Sequence, residues 1–397
     1  MSFSRCIGSS VYAVGALDWS RRLFDELIPL PDGTSYNAYL IQGSEKTVLI
    51  DSVDPACYHQ LKTNLQALSI ERIDYIISQH AEQDHSGSIP FLLQAFPMAK
   101  VVTNPKCKDL LMAFHHLPES VFITIQSNET LSLGNKTLQF FFTPWVHWPD
   151  TMCTYLQEDH ILFTCDLFGS HIASSELFSN DPCKLLSAGR RYYAEIMMPF
   201  RSVIASNLNQ LSSLPFDIIA PSHGPVQSDK SVLWNAYLEW ISDKVHNKVV
   251  LPYVSMHEST KLMVDHLVNR LVQKNVAVDV FDLPKTDVGE LASSVVDAAT
   301  VILGAPFMLA GAHPVAAYAA YLVNALRPKI KWFGIIGSFG WGGKMTDQIT
   351  SLLGNMKSVE IFEPVLEKGA PTHSTFQKLD ALAETIATYH SQNTVSL

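Results

Sequence analysis

The stretch from Ser78 to Pro90 constrains the fold most, because four side chains able to bind metal, His80, Glu82, Asp84 and His85, fall within six positions. The run before it, Ile73-Asp74-Tyr75-Ile76-Ile77, is short, apolar and β-branched like a buried strand. Ser86, Gly87 and Pro90 signal a turn into a helix. The cluster is therefore expected in a strand-to-helix loop. In an extended loop alternate residues point the same way, so His80, Glu82 and Asp84 are expected to face one cavity, with His85 reaching it from the next turn. A solvated polar loop would not need imidazoles and carboxylates at alternating spacing, a mixture that suits borderline-to-hard divalent metals.

Three later positions supply further donors, each after an apolar strand-like run: His147 after Leu138–Phe142, Asp166 at the end of Ile161–Cys165, and His223 after Phe216–Ile219. A single histidine after a strand is more often structural than ligating. Taken in this order, the seven resemble the metallo-β-lactamase superfamily signature. Glu82 replaces the histidine usual at its position, which resembles one branch, the flavodiiron proteins. The resemblance implies that His80, Glu82 and His147 bind one iron ion and Asp84, His85 and His223 another, with Asp166 bridging. Three carboxylates, two ferrous ions and one bridging hydroxide sum to neutrality. Glu82 adds a hard oxygen donor that favours iron or manganese over zinc. His171, five residues past Asp166, is a candidate for contact with the metal ligands. Of Tyr192 and Tyr193, in a segment that resembles the one bringing a tyrosine near the irons, Tyr193 is preferred. The adjacent pair His115-His116, late in a helix, is assigned to the helix dipole.

The chain of 397 residues is long enough for two domains. A net charge of −10 without a basic stripe argues against nucleic acid as a partner. No apolar run approaches the roughly 20 residues of a membrane span, and the N-terminus lacks a signal-peptide core, so a cytoplasmic location is expected. The six cysteines form no C-x-x-C pair and are expected to be free, buried thiols.

In the first half, a hairpin of Tyr36–Gln42 with Thr47–Asp51 precedes an amphipathic helix over Pro55–Leu68. Mixed strands and helices then suggest a layered sandwich, closed by a helix over 232–245. From Val249 the texture becomes regular. Strands are expected at 249–254, 276–281, 300–304, 331–336 and 359–362, and helices at 260–274, 289–297, 315–325, 344–355 and 376–389. The texture is therefore α/β, and the resemblance implies an N-terminal metallo-β-lactamase-like αββα sandwich over residues 1–248 and a flavodoxin-like doubly wound parallel sheet over 249–397.

The first strand-to-helix loop of the second half, Ser255-Met256-His257-Glu258-Ser259-Thr260, resembles the phosphate loop of flavodoxins. Its hydroxyls and N–H groups at a helix start would cradle the phosphate of FMN. Glu258 stands where many relatives have glycine, and a carboxylate there repels phosphate unless it turns outward. Pro306, Phe307, Met308, Leu309 and Gly311 after the third strand, and Ser338, Phe339, Gly340, Trp341, Gly342 and Gly343 after the fourth, are expected to line the flavin ring.

The resemblance implies a flavodiiron oxidoreductase that reduces dioxygen to water, nitric oxide to nitrous oxide, or both. It also implies a head-to-tail homodimer or a dimer of such dimers, supplied with electrons by a separate donor such as a rubredoxin or a reduced deazaflavin. Two readings from other classes remain open at this point: a di-zinc hydrolase fused to a flavodoxin-like module, and a non-enzymatic di-iron gas sensor.

Overall fold

A computed structural model describes residues 4–395. The chain packs as two compact units. The first runs to Tyr193 and then from Phe200 to Ile241; the second takes Ala194–Pro199 and everything from Ser242 on. The sequence reading placed the cut after residue 248.

In the first unit the central strands carry apolar residues on both faces because both faces of each sheet are covered. One sheet runs, in spatial and chain order, β1 (Arg5–Gly8), β2 (Val11–Ala13), β3 (Tyr39–Gln42), β4 (Thr47–Ile50), β5 (Tyr75–Ile77), β6 (Lys100–Thr103) and β7 (Phe122–Thr124). It is antiparallel up to β4 and parallel from there. The second sheet is β8 (Thr130–Ser132), β9 (Thr137–Phe142), β10 (Met152–Leu156), β11 (Ile161–Phe163) and β12 (Ile218–Ala220), with only the last pair parallel. The period of two divides the side chains. Tyr39, Ile41, Val48, Ile50, Ile77 and Val102 join Phe140, Met152, Ile161 and Phe163 of the other sheet in one core. Their neighbours Leu40, Leu49, Ile76 and Val101 turn the other way. There they meet helices α1 (Tyr58–Ala67), α3 (Ile89–Ala95) and α4 (Pro105–His115) through Leu61, Leu65, Ile89, Leu92, Cys107 and Leu111. The short helix α2 (Gln83–Ser86) precedes α3. Helices α5 (Pro182–Tyr192), α6 (Arg201–Leu211) and α7 (Ser231–Ile241) follow. Gly189 lies so close to Leu233 that a Cβ would meet its methyl at 2.6 Å. The aromatic residues Tyr237 and Trp240 of α7 are buried in the core.

The expected strand over 36–42 is broken, since Thr34–Tyr36 pairs instead with Ala16–Asp18. A hairpin of Leu23–Phe24 with Ile28–Pro29, carrying Asp25 and Glu26 at positive φ, was not anticipated. Gly33, at φ 67, makes the turn after Pro31-Asp32. Four cysteines are buried as expected, but Cys6 and Cys183 are exposed.

The second unit is a parallel sheet in the order β14 (Ala277–Asp282), β13 (His246–Tyr253), β15 (Ala298–Gly304), β16 (Trp332–Phe339) and β17 (Glu360–Ile361). A further strand, β18 (Val365–Lys368), also pairs with β16. Counted along the chain the order is 2-1-3-4-5, the flavodoxin arrangement. Helix α8 (Ser259–Gln273) and the C-terminal helix α12 (His373–Asn393) cover one face through Met263, Leu267, Leu379 and Ile386. Helices α9 (Val288–Val295), α10 (Pro314–Leu326) and α11 (Met345–Ser351) complete the unit. Among the described residues no helix is long and apolar enough to cross a membrane.

Candidate metal centre and flavin cleft

The seven expected donors lie on loops that leave the C-terminal ends of β5, β9, β11 and β12, and they converge. Asp166 is the centre of the arrangement. Its Oδ2 lies 3.0 Å from His80 Nε2 and 3.4 Å from His147 Nε2, and its Oδ1 lies 3.2 Å from His85 Nε2 and 3.3 Å from His223 Nε2. Glu82 Oε2 completes the first group, 3.2 Å from His80 and 3.1 Å from His147. Asp84 completes the second, 3.2 Å from both His85 and His223. The extended alternation expected from the sequence stops at Glu82. Asp84 and His85 sit in the turn of α2, whose helical path carries them to the second group.

Both oxygens of Asp84, both of Asp166 and Nε2 of His85 are buried and have no aligned hydrogen-bond partner, in spite of these short separations. Atoms that converge without pairing fit a cation between them. Donors about 2.1 Å from one ion, at tetrahedral to octahedral angles, stand about 3.0–3.4 Å apart, which is the spacing observed. His223 donates from Nδ1 to the Ser35 carbonyl at 2.7 Å, which leaves Nε2 free to ligate. Burial alone would push the Asp166 carboxyl upward, but the charges of His85 and His80 and the approach of His147 and His223 hold it well below the usual range. Against its own burial, Glu82 is likewise held low by His147 and His80. Burial pushes the imidazoles down, yet Asp166 with Glu82 raises His147 to about 9, and Asp166 with Asp84 raises His223 to about 10.

His171 stands beside this cluster, its ring 4.9 Å from that of His223. Its Nδ1 pairs with Thr34 Oγ1 at 2.8 Å, while the buried Nε2 has no partner. Burial, then the charge of His223, holds it neutral. The preference for Tyr193 is corrected. The Tyr193 hydroxyl donates to the Trp240 carbonyl at 3.3 Å and its ring packs on Tyr237 and Trp240. Tyr192 is the tyrosine that meets His171 and His223, at 4.9 and 5.9 Å between rings. Successive residues at a helix end point about 100° apart, so only one of the two can face the cluster. His115 also differs from expectation. Its Nε2 lies 2.9 Å from Ser86 Oγ, and burial lowers its pKa, so it braces the metal loop as a neutral ring.

Several neighbours had no sequence signal. Phe24 packs against His171 at 4.9 Å. At the hairpin tip beyond it, burial, then Glu82 and Asp84, raises the Asp25 carboxyl. The buried carboxyls of Asp51 and Asp150 accept from Gln79 N and Ala81 N, on either side of His80.

In the second unit a cavity of about 290 Å³ opens where the strand order reverses. Ser255, Met256, His257, Ser259 and Thr260 line it from the first loop, Pro306 and Phe307 from the third strand's loop, and Ser338, Phe339, Gly340 and Trp341 from the fourth's. Thr260 Oγ1 lies 3.1 Å from Ser338 Oγ, which ties two of the loops together. Gly369 lines the cavity too and was not anticipated. Glu258 is exposed and outside the lining, at φ 64. The carboxylate does turn outward, and the left-handed backbone is the reason glycine suits this position. Met308, Leu309, Gly311, Gly342 and Gly343 also lie outside the lining. Phe307–Met308 and Gly311–Ala312 form a small hairpin, Leu309 is 83% exposed at its tip, and a Cβ on Gly343 would meet the Ala310 carbonyl at 2.6 Å. Gly343 therefore serves close packing of the two loops, and Gly311 the close approach of the hairpin to Gln348 of α11.

Two triads sharing one carboxylate at the edge of a covered sandwich define a metallo-β-lactamase-like domain, here joined to a flavodoxin-like one. Residues 34–224 match the family model described as ODP family beta lactamase. The rubredoxin-oxygen oxidoreductase of Megalodesulfovibrio gigas is 33% identical over 384 residues, which cover 95% of each chain. The anaerobic nitric oxide reductase flavorubredoxin of Aliivibrio salmonicida is 36% identical over 87% of this chain and 71% of its own. Among solved structures, the rubredoxin oxygen:oxidoreductase of Desulfovibrio gigas superposes with a TM-score of 0.94 at 32% identity, covering 98% of this chain and 99% of that one. The flavodiiron protein of Giardia intestinalis gives 0.91 at 25% identity, with 99% and 98% covered. The chain belongs to the flavodiiron proteins and is an oxidoreductase of that family.

Proposed function

We propose that this flavodiiron oxidoreductase reduces dioxygen to two waters, nitric oxide to nitrous oxide, or both. The reaction would take place at two iron ions held by His80, Glu82 and His147 on one side and Asp84, His85 and His223 on the other, with Asp166 shared. FMN in the cleft of the second unit would pass electrons from a separate donor, a rubredoxin or a reduced deazaflavin, within a head-to-tail homodimer. The observation that carries this reading is Asp166, which directs one oxygen to each triad.

Two ferrous ions and a reduced flavin together supply four electrons, as many as dioxygen takes with four protons to give two waters; two nitric oxides take two electrons and two protons to give nitrous oxide and one water. The chain's own groups do the rest. Glu82, Asp84 and Asp166 fix the charge and spacing of the site. Tyr192 and Phe24 wall His171 and His223 with apolar surface that excludes water. His171 is neutral, and its unpartnered Nε2 is the atom placed to take or give a proton beside the cluster.

The test is metal and flavin analysis of the purified protein followed by anaerobic turnover of the reduced form with each gas in parallel. Two irons and one FMN per chain with gas consumption are expected. Two zincs with esterase activity, or bound irons without turnover, would overturn the reading.

A further inference from the structure

The backbone on either side of His80 is held by side chains that are not candidate metal donors. Asp51 accepts from Gln79 N at 2.8 Å and from Gln79 Nε2 at 3.0 Å. Asp150 Oδ2 accepts from Ala81 N at 2.9 Å. Asp150 is 1% exposed, and its Oδ1 has no hydrogen-bond partner among the described residues, so its side chain has one visible task. Burying a carboxyl group for a single hydrogen bond is expensive. What that bond connects explains why the cost is tolerated. Ala81 lies between His80 and Glu82, and Asp150 lies three residues after His147. This side-chain hydrogen bond therefore joins the two loops that carry all three unshared donors of one triad, beside the backbone bond from Met152 N to the Gln79 carbonyl at 2.9 Å. Asp150 is itself held in place, because Asn104 Nδ2 donates to its carbonyl while Asn104 Oδ1 caps α4 by accepting from Cys107 N.

The other triad is fixed differently. Asp84 and His85 belong to the turn of α2, the His85 carbonyl accepts from Ser52 N and Ser52 Oγ, and His223 is oriented by Ser35. None of those bonds involves Asp150.

We propose that Asp150 is a positioning residue that locks the His147 loop to the His80–Glu82 loop and so sets the metal affinity of that triad alone. The inference rests on the metal-centre reading above. Groups that orient ligands typically contribute about 10–100-fold in metal affinity. The test is anaerobic calorimetric titration of the metal-free full chain with ferrous iron, comparing wild type, Asp150→Ala and Asp150→Asn. Wild type should show two binding events. Asp150→Ala should weaken one of them about 10–100-fold and leave the other unchanged. Asp150→Asn keeps an oxygen for Ala81 N–H and should restore affinity to within about threefold of wild type.

Equal weakening of both events, no weakening, or an Asn variant as weak as the Ala variant would overturn the proposal. Amide exchange at Ala81 in the metal-free wild type needs no variant: strong protection is expected, and exchange at the rate of an open loop would also overturn it. A wild type that binds no pair of ions would strike at the metal centre itself, whereas two events indifferent to Asp150→Ala would strike only at this inference.

Discussion

The two candidate sites of this chain are built by opposite means. In the first unit, buried charged side chains from separated loops meet within about one bond length of where an ion would sit, and backbone serves to hold them. In the second, hydroxyls, N–H groups and glycines line an open cleft, and the charged side chain closest in sequence, Glu258, points away. A site made of buried charges depends on charge balance, and a site made of backbone depends on how closely loops approach. The two should therefore fail under different substitutions and at different pH.

The largest expected effect is at the shared carboxylate. Asp166→Ala should bring turnover with either gas to background while leaving flavin absorbance intact; substantial activity in that variant would break the comparison at its first term. The converse substitution is Gly343→Ala, which adds a Cβ 2.6 Å from the Ala310 carbonyl and 2.9 Å from the Phe307 ring. It should weaken FMN binding roughly tenfold, read by fluorescence titration, and leave metal content unchanged.

The pH response sharpens the contrast. In the metal-free protein, His147 at about 9, His223 at about 10 and His80, held well above its ordinary value, carry protons at neutral pH, so metal uptake at pH 7.5 should release about three protons and tighten as pH rises. Indicator-dye titration reads both. The raised values of His147 and His223 stabilise the metal-free first unit fully below about pH 6.5, and that stability is lost as pH rises through about 9 to 10. The depressed Glu82 and Asp166 act in the other direction and withdraw stability in acid. The second unit has a simpler profile. Burial lowers His390 to about 4, between Thr300 Oγ1 and Asn247 Oδ1. Unfolding exposes a ring that takes a proton first, so this contribution is present above about pH 6.5 and lost as pH falls through about 4. Thermal melts across this range, with His390→Gln flattening the acid side for the second unit, test it.

The smallest expected effect is at Glu258. Relieving its left-handed backbone with Glu258→Gly should stabilise the second unit by about 1 kcal/mol, visible as a higher melting temperature, with flavin affinity little changed.

Much of this was legible in the residues. The parallel sheet of the second unit followed from five apolar runs alternating with helical periodicity, because a short strand buried on both faces reads as an apolar run wherever it lies, whereas its 2-1-3-4-5 order is not written in those runs. His80, Glu82, Asp84 and His85 stood out by their density in one loop, whereas His147, Asp166 and His223 stood out only through the resemblance to a known ligand pattern. What could not be read was direction and reach. Tyr192 and Tyr193 are neighbours of the same type, and only the end of α5 decides which one faces His171. The Phe24 hairpin is too short to show a period, and nothing in the run after the third strand marks Phe307 as lining the cleft while Met308, Leu309 and Gly311 of the same hairpin do not.

The order of residues thus determined which chemistry the chain carries and which layers enclose it, since both depend on composition and local period. Tertiary structure alone decided that Asp166 divides its two oxygens between triads, that Glu258 turns outward, and that Asp150 reaches across to Ala81. Each of these is a relation between atoms brought together from distant segments or turned by a local backbone angle, and neither distance in space nor the sign of φ is written in the identity of a single residue.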